Sequence, residues 1–232
     1  LVDRRGAMVR QRHSRGWDLV DDRLSLFDSL FTQVGDPQRM PETIALREYI
    51  RRWRFYDHFR SDADAPARQP AMATRTPVLH HDGRDLAAAW VTILEVGDPV
   101  ALARSVDDAF PGATVGFEEL DGRLALRFHQ PGLLRPLSMA ELSDGTLRFL
   151  LLAAALRMPR PPPLLVLNEP ETSLHPDLLP ALARLIIAAS ARSQVWVVSH
   201  ASRLIAALEQ APGCHSLHLH KEQGRTLLSG QG

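Results

Sequence analysis

The chain has 232 residues, 45% hydrophobic and 23% charged, which is the composition of a folded protein and argues against disorder. Its 27 basic and 27 acidic residues cancel, which removes the simplest electrostatic case for a nucleic-acid binder but leaves room for a local patch. The longest apolar run, Phe149 to Leu156, has eight residues. A bilayer span needs about 20, so a membrane-spanning helix is excluded.

In chain order, residues 1–38 carry mixed charge and weak periodicity, with no apolar segment of the secretory kind. The opening at Leu1 points to a piece of a longer protein. Leu24, Phe27, Leu30, Phe31 and Val34 lie at helical spacing and predict a short amphipathic helix, which Pro37 and Pro41 punctuate. Ile44, Leu46, Tyr49, Ile50 and Trp53 predict a second helix starting near Pro41 and Glu42. Residues 61–77, rich in Ala, Pro and Asp, read as a long loop. Asp85 is placed to cap a helix ending at Gly97, and Asp98-Pro99 to begin another ending at Pro111-Gly112. Val115 and Phe117, then Leu124, Leu126 and Phe128, alternate around Asp121-Gly122, the signature of a hairpin. Leu147 to Arg157 is an apolar helix stopped by a proline run. Leu164 to Leu167 and Val195 to Val198 are short apolar strands of the kind buried on both faces of a parallel sheet. Helices follow from Pro176 and from Ser202, and a terminal hairpin turns at Gly224. Cys214, the single cysteine, excludes an internal disulfide, fits a reducing cytoplasm and reads as an inert, partly buried thiol.

Three segments place polar groups where buried elements end. Asn168 and Glu169 finish one strand, at the carboxyl edge where α/β sheets bind ligands. Glu169, in partly apolar surroundings, suits a general base. Ser199-His200 finishes the neighbouring strand and sets an imidazole at the same edge. Ser143-Asp144-Gly145-Thr146 opens a helix, whose free N–H groups and dipole make an anion site. Together these suggest phosphate-ester or nucleotide chemistry. The one lysine, Lys221, lacks the glycine spacing of Gly-x-x-x-x-Gly-Lys-Ser/Thr, so these residues hold no phosphate loop of that type.

The three segments, in this order, resemble the carboxyl-terminal half of an ABC-class ATPase of the SMC/RecF-like branch, among bacterial AAA family ATPases. Leu142 to Thr146 resembles the signature loop, Leu164 to Glu169 the Walker B strand, Pro170 to His175 the D-loop, and His200 the switch histidine. Ser143 and Glu169 are 26 residues apart, and Glu169 and His200 are 31 apart, in keeping with that family. The resemblance is strong over 138–210 and extends more weakly over Trp53 to Arg135. It implies an α/β, P-loop NTPase-type fold with its amino-terminal lobe missing, a helical insert and a β-hairpin. Residues 1–137 would form a helical and hairpin segment, and 138–232 the ABC-type core. It also implies a dimer that sandwiches ATP and Mg2+. Glu169 would polarise the attacking water and His200 would contact the γ-phosphate. Leu142, Ser143, Asp144, Gly145 and Thr146 would bind the γ-phosphate of a nucleotide held by the partner protomer, and Asn168 and Glu169 would serve the metal. Residues Glu171 to His175 would cross the interface.

Three departures stand out. Asn168 replaces the usual aspartate, and an amide offers an oxygen but no charge. Asp144 adds negative charge beside a phosphate site. The Walker A lysine is absent, so the chain by itself is expected to be inactive. A DNA-associated repair or phage-defence module, and a degenerate non-hydrolysing interaction protein, are the alternatives. REYIRRWRFYDHFR (47–60) mixes Arg with aromatics as nucleic-acid binders do, but reads more simply as a solvated helix face. His80-His81 and the histidines at 215, 218 and 220 lack a clear carboxylate partner and read as ordinary loop and strand residues.

Overall fold

The computed structural model of the chain describes residues 2–33, 38 and 40–229. They fall into two units, Leu1–Trp53 and Arg54–Gly232. The first opens with a three-stranded antiparallel meander of β1 (Val2–Arg5), β2 (Met8–His13) and β3 (Gly16–Asp21). Hydrophobic alternation gives no hint of these strands. Instead a charged cross-strand pair marks the register: Asp3 stands opposite Arg10, whose guanidinium donates to the carboxylate at 2.6 Å. Val9, Leu24 and Met40 form a small core under the meander. The predicted amphipathic helix shrinks to one turn, α1 (Leu30–Gln33). Val34 and Pro37 lie outside the described residues. Helix α2 (Pro41–Arg51) forms as expected, with its proline in the first turn.

The second unit begins with β4 (Arg54–Tyr56). The stretch read as a long loop is mostly irregular but packed: Ala65, Ala67, Arg68 and Ala71 are buried, the last in the two-residue β5 (Ala71–Met72). Helices α3 (Leu86–Val96) and α4 (Pro99–Ala109) match expectation. Asp98 caps α4 by accepting from the Ala101 N–H at 2.8 Å. Asp85 precedes α3 but is not its side-chain cap. Its carboxylate accepts from His80 N–H and the Thr76 hydroxyl. Strands β6 (Thr114–Leu120) and β7 (Arg123–His129) pair through a two-residue turn with Asp121 at φ 52° and Gly122 at φ 72°. Two consecutive left-handed residues give the turn whose twist suits a hairpin. The other edge of β7 takes β5 and β8 (Leu137–Ser138).

Helix α5 (Asp144–Arg157) is the spine of the second unit. Every residue from Leu147 to Leu156 is buried, and it packs against α3, α4 and α6 (Leu179–Ser190). Arg148 apart, this buried run is apolar all round, as such a central helix requires. Beside it, β9 (Leu164–Asn168) pairs in parallel with β10 (Gln194–Val198) on one side and β4 on the other. Helix α7 (Ser202–Glu209) follows β10, and β11 (Leu219–Glu222) and β12 (Arg225–Leu228) make the terminal hairpin. Cys214 is exposed, not partly buried. Among the described residues of this unit, the three parallel strands are covered on one face only. Tyr56, Leu165 and Leu167 face the core, while Phe55, Val166 and Trp196 share a register row on the other face, with Phe55 57% and Trp196 60% exposed. The expected burial on both faces is corrected: apolar composition marks the row but does not say what covers it. Among the described residues no helix is long and apolar enough to cross a membrane.

Candidate functional site

The turn at residues 142–146 is fixed from three sides. Leu142 is buried, and Ser143 is the N-cap of α5, its hydroxyl accepting from the Thr146 N–H at 3.2 Å and sitting 2.8 Å from the Thr146 hydroxyl. Ahead of it, Ser138 and Glu141 form a capping box, and Arg135 clasps the Glu141 carboxylate at 2.6 Å. The Arg135 guanidinium and the Ser138 N–H and hydroxyl hold Glu141 down to about 2. From below comes Arg68. Its guanidinium donates to the carbonyls of Ser61, Asp62, Met139, Ala140 and Leu142 and to Asp144 Oδ1, the last at 2.8 Å. With its side chain 5% exposed, Arg68 is a buried cation, and the Asp144 carboxylate is its counter-charge. The negative charge of Asp144, which counts against the anion site expected from the sequence, is thereby offset. The first-turn N–H groups of Asp144 and Gly145 have no acceptor within the helix and suit a phosphate oxygen.

Gly145 is a steric requirement. A Cβ there would lie 2.7 Å from the carbonyl oxygen of Ser173, so the turn rests directly on the 171–175 segment. Ser143, Gly145, Thr146, Ser173, His175 and Asp177 line a shallow groove of about 320 Å³ between the two segments. His175 accepts from the Asp177 N–H at 3.3 Å.

The second half of the site is the carboxyl edge of the parallel sheet. Asn168 ends β9, and the Glu169 N–H bonds the carbonyl of Val198 at the end of β10, which carries the adjacent turn to His200. Glu169 sits at φ 44°, a strained left-handed backbone for a non-glycine residue. Arg148, buried on α5, holds this bend by donating to the Glu169 carbonyl at 3.0 Å and to that of Phe59 at 3.3 Å. Burial pushes Arg148 below its usual range, against the opposing pull of Glu171 and Glu169. Glu169 Oε1 and His200 Nε2 stand 3.6 Å apart, with side chains 48% and 83% exposed. The partly apolar surroundings expected for Glu169 are therefore not present. Asn168 donates its amide to Asp57 Oδ1 at 2.6 Å, just past β4.

Glu171 is turned inward. Its Oε1 accepts from Ser199 Oγ at 2.7 Å and from the N–H groups of His200 and Ala201 at 2.9 and 3.2 Å. Burial alone would raise its carboxyl, but these bonds outweigh it and hold the group below the ordinary carboxylate range. Glu171 is thus the clamp on the turn that carries His200. Reading the sequence did not single out Arg68, Arg148, Asp57 or this role of Glu171, because each acts through contacts distant in the chain. Elsewhere, Asp82 does give His80 a carboxylate partner at 2.7 Å, and His80, His81 and Asp82 bring ligand atoms within 4.8 Å of one another.

A family model described as "AAA domain, putative AbiEii toxin, Type IV TA system" matches residues 12–206. Among solved structures, an SMC head bound to the C-terminal winged-helix domain of ScpA is similar with a TM-score of 0.54 at 12% identity, covering 95% of this chain and 66% of its own. An SMC ATPase described for ATP-driven dimerization and DNA-stimulated activation has a TM-score of 0.49 at 16% identity, over 60% of this chain and 83% of its own. The SMC head domain from Thermotoga maritima has 0.44 at 18%, over 62% and 50%. This chain thus spans half to about four fifths of these three chains. No curated protein matches the sequence.

Proposed function

The chain belongs to the family of the AAA domain described as putative AbiEii toxin, Type IV TA system, with the α/β P-loop NTPase-type fold of SMC heads, and from that premise we propose that it is the carboxyl-terminal part of an ATP-hydrolysing ATPase that works as a nucleotide-sandwiched, head-to-tail homodimer. Glu169 is the base that polarises the attacking water, and His200, 3.6 Å away, orients that water and contacts the γ-phosphate. Ser143 and the N–H groups around Gly145 receive the γ-phosphate of the nucleotide held by the other protomer. The 171–175 segment lies at the interface beside them. The hard oxygen donors at the strand edge suit Mg2+, which supplies charge neutralisation for phosphoryl transfer when bound. The lysine-bearing phosphate loop comes from outside these 232 residues, so residues 1–232 alone are expected neither to bind ATP tightly nor to hydrolyse it. One cysteine among 232 residues fits work in the cytoplasm.

The observation that carries this reading is the juxtaposition of Glu169 and His200 at the ends of adjacent parallel strands, with Arg148 tying that edge to the helix opened by Ser143. In the full-length protein, Glu169→Gln should lower ATP turnover at least about a hundredfold while leaving ATP-driven dimer formation intact. Unchanged turnover would falsify the reading. The family description names a putative toxin of a type IV toxin–antitoxin system, and a toxin–antitoxin setting is the one it supports. A DNA partner has thinner support, since within 47–60 Arg51 and Arg60 pair with Glu48 and Asp62.

A further inference from the structure

The strand β9 ends on an amide where a carboxylate would serve a divalent cation better, yet the carboxylate is not missing from the edge. Tyr56 of β4 is in register with Leu167 of β9, so the next residues, Asp57 and Asn168, stand side by side across the strand pair. The Asn168 Nδ2 donates to Asp57 Oδ1 at 2.6 Å. A carboxylate can only accept, so this bond also fixes the amide: its nitrogen faces Asp57 and its oxygen faces away. The edge then offers the second oxygen of Asp57 and the Glu169 carboxylate. The pair Asp57 and Asn168 carries one negative charge, as a lone aspartate at 168 would, moved sideways by one strand spacing of about 4.8 Å.

We propose that Asp57 supplies the carboxylate for Mg2+ that position 168 lacks, with Asn168 as the positioning residue that holds Asp57 through its amide. The proposal rests on the ATPase reading above. It makes Asn168 one partner of a relocated charge, and not a sign of lost chemistry. The donors are all hard oxygens, the set Mg2+ and Mn2+ prefer.

The test is Mn2+ binding, followed by electron paramagnetic resonance, to the full-length protein with ATP. Wild type should bind Mn2+ saturably. Asp57→Asn should weaken binding about 10- to 100-fold, the range seen when a partner of a metal site is removed. The double variant D57N/N168D returns the carboxylate to the other strand and keeps a hydrogen bond between the two positions, so it should bind within about threefold of wild type. Because the double variant preserves the local pairing, it separates loss of charge from loss of folding. Equal affinity in wild type and D57N overturns the assignment while leaving the ATPase reading in place. Weak binding by both D57N and the double variant also overturns it. Absence of saturable binding by wild type overturns the assignment and the ATPase reading together.

Discussion

Around Ser143 both backbone and side chains are tied down above a buried arginine, whereas at the edge carrying Glu169 and His200 the backbone is held but the two side chains stand open to solvent. Arg68 satisfies five carbonyls and one carboxylate beneath the first turn of α5, and Gly145 lies against the Ser173 carbonyl with no room for a methyl group. At the strand edge the same unit leaves His200 83% exposed, and in the neighbouring register row Phe55 and Trp196 are exposed with Val166 half-buried between them. The difference is one of preorganisation. The turn at Ser143 is held from beneath by Arg68 and lies against the Ser173 carbonyl, while at the edge Arg148 and Glu171 hold the backbone and leave the Glu169 and His200 side chains in solvent. Arg148 is the link: it sits on the rigid helix and holds the backbone bend at Glu169.

The comparison can be broken most forcefully at Arg68. Arg68→Met strands several buried carbonyls, and we expect a loss of about 3 kcal/mol in urea unfolding. Arg68→Lys should recover little, because three donors on a point charge cannot reproduce a planar fork. Gly145→Ala, with its Cβ 2.7 Å from a backbone oxygen, should cost about 1–3 kcal/mol and lower the thermal midpoint. Acid should act next. Glu171 and Glu141 are held below the usual carboxylate range, so their stabilising contributions are complete above the unfolded-state value of about 4.3 and fade as pH falls through the folded values. For Glu141 that fading extends down to about 2. The protection of the His200 and Ala201 amides against hydrogen exchange, taken relative to their intrinsic rates at each pH, should therefore fall in acid, and Glu171→Gln should remove that pH dependence. The smallest effect belongs to the open face: Trp196→Ser or Phe55→Ser should change the chain's own stability by less than about 0.5 kcal/mol in the same unfolding assay. A large loss there would mean that the row is covered within this chain.

What the sequence revealed follows from where its signals are local. Helix α5, strands β9 and β10 and the Asp121-Gly122 hairpin are legible because apolar period, proline stops and a two-residue turn lie within a few positions of one another. The candidate residues 142–146, 168–169 and 200 were legible for the same reason, each sitting where such an element ends. Strands β1 to β3 were not, since Asp3 and Arg10 do by charge what alternation usually does by hydrophobicity. The packed stretch at 61–77 was hidden because alanines bury without large apolar groups. Nothing local marks Arg68 as buried when its acceptors lie as far as 76 residues away. Asp57, and the clamping role of Glu171, carry no local signal for a related reason: their partners, Asn168 and the Ser199–Ala201 turn, are brought to them only by strand pairing.

The central claim is that Ser143 and Glu169 of one chain serve different active sites of a head-to-tail dimer. It is tested most directly by mixing two inactive full-length variants, Ser143→Arg and Glu169→Gln, and measuring ATP turnover. In a mixed dimer one site receives an intact Ser143 turn from one protomer and an intact Glu169 from the other. Random mixing makes half the dimers mixed, each with one good site of two, so about one quarter of wild-type turnover should return. No recovery, with mixed dimers shown to form, would contradict the account.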